Sequence, residues 1–235
     1  MKNTKFSTWL PHGLALKSYW EGNKQAAIKI HVDDESITSM PVEIYFRTKD
    51  QLPELERIAL SLCKGSILDV GAGAGAHSLI LQKELQVTAL DISADGVDIM
   101  NMLGVNKTVC EDFLKYNAIN KFDTLLFLMN GIGVAGNLEG LAHYLCHAKT
   151  LTTKDAQIIL DSSDLRNGEI ELAFDSDYFG IFNYQLSFEK TKGEKYQWLY
   201  IDQELLTKIA LQCGWETEII YEQEDGSYLA RLTKK

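Results

Sequence analysis

Apolar segments of strand length alternate with amphipathic segments of helix length between residues 51 and 160. A helix is predicted over 55–62, because its apolar residues recur at intervals of three and four, and Gly65 suits a left-handed stop after it. Ser93 and Asn137 stand where two later helices begin, and both residue types cap helices well. The predicted strands of this part are 66–70, 87–90, 107–110, 122–129 and 156–160. Strands separated by helices are typical of a parallel sheet.

The pattern changes after residue 180. Two segments with apolar residues at every second position, 181–188 and 196–201, flank a turn around 192–194 and predict an antiparallel hairpin. A helix capped by Asp202 follows. The last predicted elements are strands over 215–222 and 227–233, joined by a turn at 224–226. The chain therefore predicts a parallel α/β sheet that ends in an antiparallel hairpin.

Residues 1–50 carry a weaker pattern. Apolar and polar residues alternate over 28–32 and again over 42–47, which predicts two strands outside the main sheet. Six aromatic residues lie in this segment, so it is either a packed extension or a lid over a site. We therefore expect a single domain over 51–235 with residues 1–50 as its N-terminal cap.

Composition and charge exclude several classes of protein. A chain of 235 residues with 46% hydrophobic residues and 3 prolines is neither disordered nor collagen-like. Its net charge of −10 disfavours a nucleic-acid partner. The longest strongly apolar stretch is too short to span a membrane, and no signal-peptide core begins the chain, so a cytoplasmic protein without a membrane partner is expected. The four cysteines form no Cys-x-x-Cys pair, which favours reduced thiols over a zinc knuckle or a disulfide framework.

A glycine-rich run separates the strand 66–70 from the next helix. Glycines at positions 71, 73 and 75 allow a sharp turn and let a ligand approach the backbone where any Cβ would block it. The run also satisfies the dinucleotide pattern G-x-G-x-x-G/A, and Asp91 follows at the distance of a ribose-binding acid. Asp69 favours a different ligand, because an acid two residues before Gly71 repels a diphosphate and attracts a cation. S-adenosylmethionine is such a cation, since it carries an ammonium and a sulfonium and no phosphate.

The run Asp-Val-Gly-Ala-Gly-Ala-Gly over 69–75 resembles the first motif of the class I S-adenosylmethionine-dependent methyltransferases. Residues 88–93, 110–113 and 122–130 resemble the second motif, the third motif and the fourth strand of that family. The resemblance covers roughly residues 65–160, and its motifs occur in the family's order. It implies a Rossmann-like, doubly wound sheet of seven strands, mostly parallel with an antiparallel strand seven.

The resemblance also implies S-adenosylmethionine as cofactor, lying across the carboxyl ends of strands one, two and four. Asp69 and the glycines are expected to hold its methionine part, Asp91 its ribose, and Asp112 with Phe113 its adenine. His77 is a candidate to contact the carboxylate of S-adenosylmethionine. The alternatives for it are to cap the helix or to be exposed to solvent. The full expected cofactor-binding set is Asp69, Gly71, Ala72, Gly73, Gly75, His77, Asp91, Ile92, Asp112, Phe113, Met129 and Asn130.

The acceptor side is less specific. Family members that methylate nucleic-acid bases usually carry Asp/Asn-Pro-Pro after strand four, whereas this chain has Asn-Gly-Ile-Gly over 130–133, so a small-molecule acceptor is expected. Asn130 and Asp161 are candidate catalytic residues, against capping roles at the ends of their strands. Residues 162–201 are expected to form an insertion on the acceptor side. The aromatic candidates for its pocket, each alternatively a packing residue, are Tyr19, Trp20, Tyr178, Tyr184 and Trp198.

Two other functions fit the same pattern. An NAD(P)-dependent oxidoreductase would use the dinucleotide pattern of the loop, although no Tyr-x-x-x-Lys dyad follows strand four. A non-catalytic nucleotide-binding protein is the second alternative, because a fold does not fix activity. No metal site is predicted, since His143 and His147 have the spacing of a ligand pair but lack the intervening glutamate and a third ligand. The acceptor and the oligomeric state stay open.

Overall fold

The computed structural model describes residues 4–33, 36–167 and 178–235. The helices in these ranges are α1 (Thr4–Trp20), α2 (Glu54–Leu62), α3 (Ala76–Leu81), α4 (Ala94–Leu103), α5 (Leu138–Leu151) and α6 (Gln203–Gln212). The strands are β1 (Ala27–Val32), β2 (Ile37–Pro41), β3 (Ser66–Val70), β4 (Gln86–Asp91), β5 (Thr108–Cys110), β6 (Phe122–Phe127), β7 (Thr152–Ser163), β8 (Ile181–Phe188), β9 (Thr191–Lys192), β10 (Tyr196–Leu199), β11 (Trp215–Glu222) and β12 (Ser227–Lys234).

Seven strands form one sheet in the order β11-β12-β7-β6-β3-β4-β5. The pairs β3/β6, β6/β7 and β4/β5 are parallel, whereas β12 runs antiparallel to both of its neighbours. Leu68 lies opposite Leu125, which lies opposite Ile158, and all three side chains are fully buried. A strand that is buried on both faces has a nearly continuous apolar sequence, and β6 has such a sequence. The predicted fold class is confirmed.

The predicted helix starts are also confirmed. The side chain of Ser93 accepts a hydrogen bond from the backbone N–H of Gly96 at the start of α4, and Asn137 accepts one from Gly140 at the start of α5. Asp202 caps α6 by accepting the N–H of Leu205. Such caps satisfy backbone donors that have no partner within the helix.

A second sheet has the order β10-β8-β1-β2, with β9 paired to β8. Its strands come from the N-terminal segment and from the predicted hairpin, and β1 pairs antiparallel with β8. The predicted turn around 192–194 is wrong in detail. The chain turns instead at Glu189, whose φ of 51° lies in the left-handed region, and residues 191–192 pair with β8 before β10 begins.

Two features of the N-terminal segment depart from the sequence analysis. The strand predicted over 42–47 is wrong, because Val42–Phe46 forms a 3₁₀ helix and the partner of β1 is β2. Residues three apart lie on one side of a 3₁₀ helix, so Val42 shares a side with Tyr45 and not with Ile44. The alternation of these few residues was too short to establish a strand. Helix α1 was not predicted, since it carries Pro11 in its interior and has no clear polar face.

The chain divides into two compact units. The first comprises 1–52, 71–113 and 183–196, and the second comprises 53–70, 114–182 and 197–235. A buried cluster of the first unit contains Ala15, Leu16, Ala26, Ile28, Val42, Ala74, Ile99, Leu186 and Phe188. Large, fully buried side chains of the second unit include Ile67, Leu68, Leu125, Leu126, Phe127, Trp215 and Tyr228. Each unit therefore has an apolar core of its own.

Candidate functional site

The glycine run forms a left-handed loop between β3 and α3. Gly71, Gly73 and Gly75 have φ of 72°, 59° and 84°, a conformation that other residues adopt at a cost. Their surroundings differ. A Cβ on Gly75 would lie 2.9 Å from the Val105 side chain, and one on Gly73 would lie 3.2 Å from the Tyr45 ring, whereas one on Gly71 would meet no described atom within 4 Å. Gly75 is therefore required for packing, and Gly71 leaves open space beside its backbone.

Asp91 holds this loop in shape. Its buried carboxylate accepts the backbone N–H of Gly73 at 2.8 Å on one oxygen and that of Ser93 at 2.7 Å on the other. The N–H groups of Gly71 and Ala72 both donate to the carbonyl oxygen of Leu90. A carboxylate has about four acceptor positions, so these two bonds are compatible with hydrogen bonds to ribose hydroxyls as well.

Tyr45 of the N-terminal segment lies beside this loop, and His12 packs against Tyr45; neither residue was a candidate from the sequence. The Tyr45 ring packs against Gly73, and burial together with the charge of Asp91 raises the pKa of its hydroxyl. The ring of His12 meets that of Tyr45 edge-on, with 4.8 Å between centroids. Burial lowers the pKa of His12 to about 4, so its imidazole is neutral at pH 7. In the sequence, the feature that pointed toward this contact was the aromatic content of residues 1–50.

The other expected donor residues lie at the strand ends where their motifs predict them. Asp69 is a buried residue of β3, and its charge, after burial itself, raises the pKa of the Cys63 thiol to about 12. Asp112 and Phe113 are buried directly after β5, and Ile92 is half-buried directly after β4. The side chain of His77 is buried in the first turn of α3, so the exposed alternative for it is wrong.

Asn130 joins three segments of the second unit. Its backbone N–H, in a left-handed conformation with φ of 52°, donates to both oxygens of Asp161 at 3.0 and 3.1 Å. Its side-chain amide donates to the carbonyl oxygen of Leu199 at 3.1 Å and accepts from the Ser162 hydroxyl at 3.0 Å. Ser162 in turn accepts the backbone N–H of Ile201. The two candidate catalytic residues are thus brought together, and the Asn130 amide is engaged at both ends by the protein.

The candidate aromatic residues have different surroundings. The Tyr178 hydroxyl donates to the Asp202 carboxylate at 2.6 Å and accepts the Asp202 N–H, and burial followed by this carboxylate raises its pKa. Trp198 lies directly over Gly133, where a Cβ would come within 2.6 Å of the indole nitrogen. The remaining three are half-buried or exposed: Tyr19 stacked on Phe46, Trp20, and Tyr184 edge-on to Tyr196. Residues 168–177 of the predicted insertion lie outside the described residues.

Within the described ranges, no group of three or more His, Cys, Asp and Glu side chains is arranged to hold a metal ion. The ring nitrogen Nε2 of His147 instead lies 3.1 Å from the carbonyl oxygen of Tyr116. In the same part of the chain, no helix combines the length and apolar character needed to cross a bilayer.

The chain is similar to several solved structures. A S-adenosylmethionine-dependent methyltransferase from Bacteroides fragilis, crystallised with S-adenosyl-L-homocysteine, aligns with a TM-score of 0.88 and 34% identity over 97% of this chain and 96% of that one. The SAM-bound amino pentose methyltransferase CalS10 of Micromonospora echinaspora aligns with a TM-score of 0.59 and 13% identity, over 77% and 88% of the two chains. The sugar N-methyltransferase KedS8 of Streptoalloteichus sp. aligns with a TM-score of 0.57 and 14% identity, over 80% of this chain and 91% of that one. No protein-family model and no curated protein matches the chain.

Proposed function

The chain belongs to the S-adenosylmethionine-dependent methyltransferases, and from that membership we propose that it methylates a small-molecule acceptor by in-line displacement. S-adenosylmethionine is its cofactor, which sets aside the NAD(P)-dependent oxidoreductase and the non-catalytic binding protein. CalS10 and KedS8 share the fold and act on sugars, which gives a precedent for small acceptors on this scaffold. The absence of an Asn-Pro-Pro run at 130–132 and the net charge of −10 also support a small acceptor over a nucleic acid.

The single observation that carries the donor site is the open space at Gly71. The backbone there is left-handed, and no described atom lies within 4 Å of the place where a Cβ would stand. A ligand can therefore approach this backbone without meeting a side chain. Asp91, buried and fixed by two backbone N–H groups, presents a negative charge in the same unit. These features fit a cationic nucleoside, and we assign the remaining donor roles as the sequence motifs predict them.

When bound, S-adenosylmethionine supplies a methyl group activated by a positively charged sulfur, so the protein's tasks are to orient the reactants and to exclude water. Asp69 and the glycines are proposed to hold the methionine part, Asp91 the ribose, and Asp112 with Phe113 the adenine. If the acceptor loses a proton on methylation, a general base is needed within hydrogen-bond reach.

We propose that Asp161 is the general base that accepts this proton. Its carboxylate can accept it, and the backbone N–H of Asn130 holds the carboxylate in place. The Asn130 amide, bound to Leu199 and Ser162, keeps this backbone in position. Asn130 is thus a positioning residue in our proposal.

The acceptor pocket is proposed to use residues 1–50 and 162–201, with Tyr19, Trp20, Tyr184 and Trp198 as candidate walls. The hydroxyl of Tyr178 is already bound to Asp202, so this residue contributes at most its ring face.

The reduced cysteines expected from the sequence favour action in the cytoplasm, on a freely diffusing metabolite.

Calorimetry on two matched glycine variants tests the donor site. Gly71→Ala and Gly104→Ala impose the same type of backbone strain, since both residues have positive φ and open space around them. We expect Gly71→Ala to weaken the binding of S-adenosylhomocysteine at least about tenfold, because its methyl group occupies the ligand's approach. Gly104→Ala, at the end of α4, should bind like the wild type. Equal affinities in all three proteins would contradict the assignment.

The acceptor can be sought with an isotopic label. Incubating the enzyme and methyl-labelled S-adenosylmethionine with a metabolite extract should yield a product that carries the labelled methyl group. Asp161→Asn should bind S-adenosylhomocysteine normally and lose turnover if the acceptor needs a base. Normal turnover by this variant would remove Asp161 from the proposal.

A further inference from the structure

The turn that follows β6 has a strained backbone. Met129 and Asn130 have φ of 61° and 52°, so two consecutive residues other than glycine are left-handed. This conformation costs free energy in residues that carry a Cβ, and it persists only where the surrounding contacts hold it. The backbone N–H of Asn130 donates to the carboxylate of Asp161 from this turn. The contacts that hold Asn130 therefore also determine how the proposed base is held.

Ser162 is a buried residue among these contacts. It is 1% exposed, and its hydroxyl lies 3.0 Å from the side-chain oxygen of Asn130 and 3.0 Å from the backbone nitrogen of Ile201. The carbonyl oxygen of Leu199 can only accept, so the amide NH₂ of Asn130 faces it and the amide oxygen faces Ser162. The N–H of Ile201 can only donate, so the Ser162 hydroxyl accepts from it and donates its single proton to Asn130.

Tyr228 holds the other side of this arrangement. It lies directly opposite Ser162 in the pairing of β12 with β7, it is fully buried, and its hydroxyl donates to the carbonyl oxygen of Ile201 at 2.7 Å. Ile201 is thus bound through both its N–H and its carbonyl group. Residues 199–201 connect the hairpin strand β10 to α6. Ser162 therefore joins the strained turn to the end of the insertion expected on the acceptor side.

Resting on the proposed function, we propose that Ser162 is a positioning residue for methyl transfer. Its hydroxyl holds Asn130 in the left-handed conformation that directs the backbone N–H to Asp161, and it acts through Asn130 without touching a reactant. Removing the hydroxyl leaves the amide oxygen of Asn130 and the N–H of Ile201 without this partner, which is costly in a buried site. The turn then relaxes and the carboxylate of Asp161 is displaced, and a small displacement of a reacting group lowers the rate strongly.

Hydrogen exchange measured by NMR tests this contact without an acceptor. The test variant is Ser162→Ala. Thr124→Val is the matched control, because it removes a fully buried hydroxyl near the amino end of β6, where Thr124 donates to the carbonyl oxygen of Lys64 at 2.9 Å. We expect the backbone N–H of residue 130 to exchange at least about tenfold faster in Ser162→Ala than in the control, through the lost hydrogen bond. Equal exchange of this N–H in the two variants would overturn the proposal.

Turnover separates positioning from a general loss of stability. With methyl-labelled S-adenosylmethionine and the metabolite extract, Ser162→Ala should transfer label at least about tenfold more slowly than the wild type. Its affinity for S-adenosylhomocysteine should stay within about twofold, which is a small free energy. Thr124→Val should match the wild type in both measurements. Label transfer by Ser162→Ala at the wild-type rate would overturn the proposal.

A second substitution at Asn130 should restore part of the rate. Asn130→Gly keeps the backbone N–H, adopts the left-handed conformation without a Cβ, and removes the amide oxygen that Ser162→Ala leaves unpaired. The double variant Ser162→Ala/Asn130→Gly should therefore transfer label about threefold faster than Ser162→Ala. The absence of any recovery would show that the hydroxyl does not act through Asn130, and would overturn the proposal as well.

If Ser162→Ala does not fold, Ser162→Cys replaces it, because a thiol is a weaker donor and acceptor than a hydroxyl. The same changes in exchange and turnover should then occur at smaller size, and wild-type values of both would overturn the proposal. A wild type that transfers no label, or normal turnover by Asp161→Asn, would instead refute the proposed function. The exchange measurement depends on neither result, so the two failures are distinguishable.

Discussion

The carboxylate of Asp91 lies 2.8 Å from the backbone nitrogen of Gly73, so the acid proposed to bind the ribose also holds the glycine loop that precedes it. The same carboxylate accepts a second hydrogen bond, from the backbone N–H of Ser93, and this bond fixes the start of α4. The first and second sequence motifs are thus joined through one buried side chain. Changes at Asp91 should consequently affect folding and binding together.

We expect Asp91→Ala to lower the free energy of unfolding by about 1–3 kcal/mol, because two buried N–H groups lose their acceptor. Donor affinity should fall by a comparable free energy through the lost charged hydrogen bonds. Denaturant unfolding and calorimetry with S-adenosylhomocysteine measure the two effects. Asp98→Ala, on the exposed surface of α4, should change neither. A variant at Asp91 that keeps full donor affinity would refute the ribose assignment.

Local features of the sequence were sufficient to predict the methyltransferase sheet. The apolar run of β6, the glycines of the loop and the caps at Ser93, Asn137 and Asp202 each depend on a few adjacent residues, and all of them appear in the structure. The motif spacing placed Asp91 correctly at the end of β4. What it did not reveal is that Asp91 also binds the loop, because that contact depends on three-dimensional geometry.

Long-range pairings were not predictable from one sequence. β1 pairs with β8 across most of the chain, and neither strand carries a signal that identifies the other. Helix α1 has an interior proline and little amphipathic pattern, so its face toward α4 and the position of His12 were hidden. Asn130 was a candidate, but its partners Asp161 and Leu199 come from distant segments.

The turn after β6 should tolerate a methyl group at one glycine and reject it at another. A Cβ on Gly133 would lie 2.6 Å from both the Leu199 carbonyl oxygen and the Trp198 indole nitrogen, whereas one on Gly131 would have its nearest neighbours at 3.8 Å. We expect Gly133→Ala to destabilise the protein by about 1–3 kcal/mol through overpacking. Gly131→Ala should stay within about 0.5 kcal/mol of the wild type. Equal thermal unfolding of the two variants would contradict this packing.

Stability should depend on pH through His12. Burial lowers its pKa from 6.5 to about 4, so the unfolded chain binds more protons than the folded chain between these values. The stabilisation is complete above about pH 6.5 and is lost as the pH falls through about 4, with a size on the order of 3 kcal/mol. The titratable ring against it, Tyr45, has a raised pKa and stays neutral throughout. The free energy of unfolding, measured with denaturant across this pH range, should depend less on pH in His12→Phe than in the wild type. The same pH dependence in both proteins would show that His12 is solvated.

The thiols of Cys146 and Cys213 lie 3.1 Å apart and should form a disulfide when treated with oxidised glutathione. Cys146 is exposed and attacks first, releasing one glutathione thiol. Cys213, whose pKa burial raises to about 12, then attacks the Cys146 sulfur as a thiolate and displaces the second glutathione, which leaves as a thiol after taking up the proton that Cys213 lost. Because this thiolate is scarce at neutral pH, we expect this second step to be the slow one. The closed loop spans 67 residues, so the crosslink should stabilise the fold by about 4 kcal/mol. Because Cys110 is exposed too, the test uses Cys110→Ser as background, in which mass spectrometry should show the loss of two hydrogens. The double variant Cys110→Ser/Cys213→Ser should instead retain glutathione on Cys146. A mixed disulfide that persists on Cys146 in Cys110→Ser would mean that the two sulfurs cannot meet.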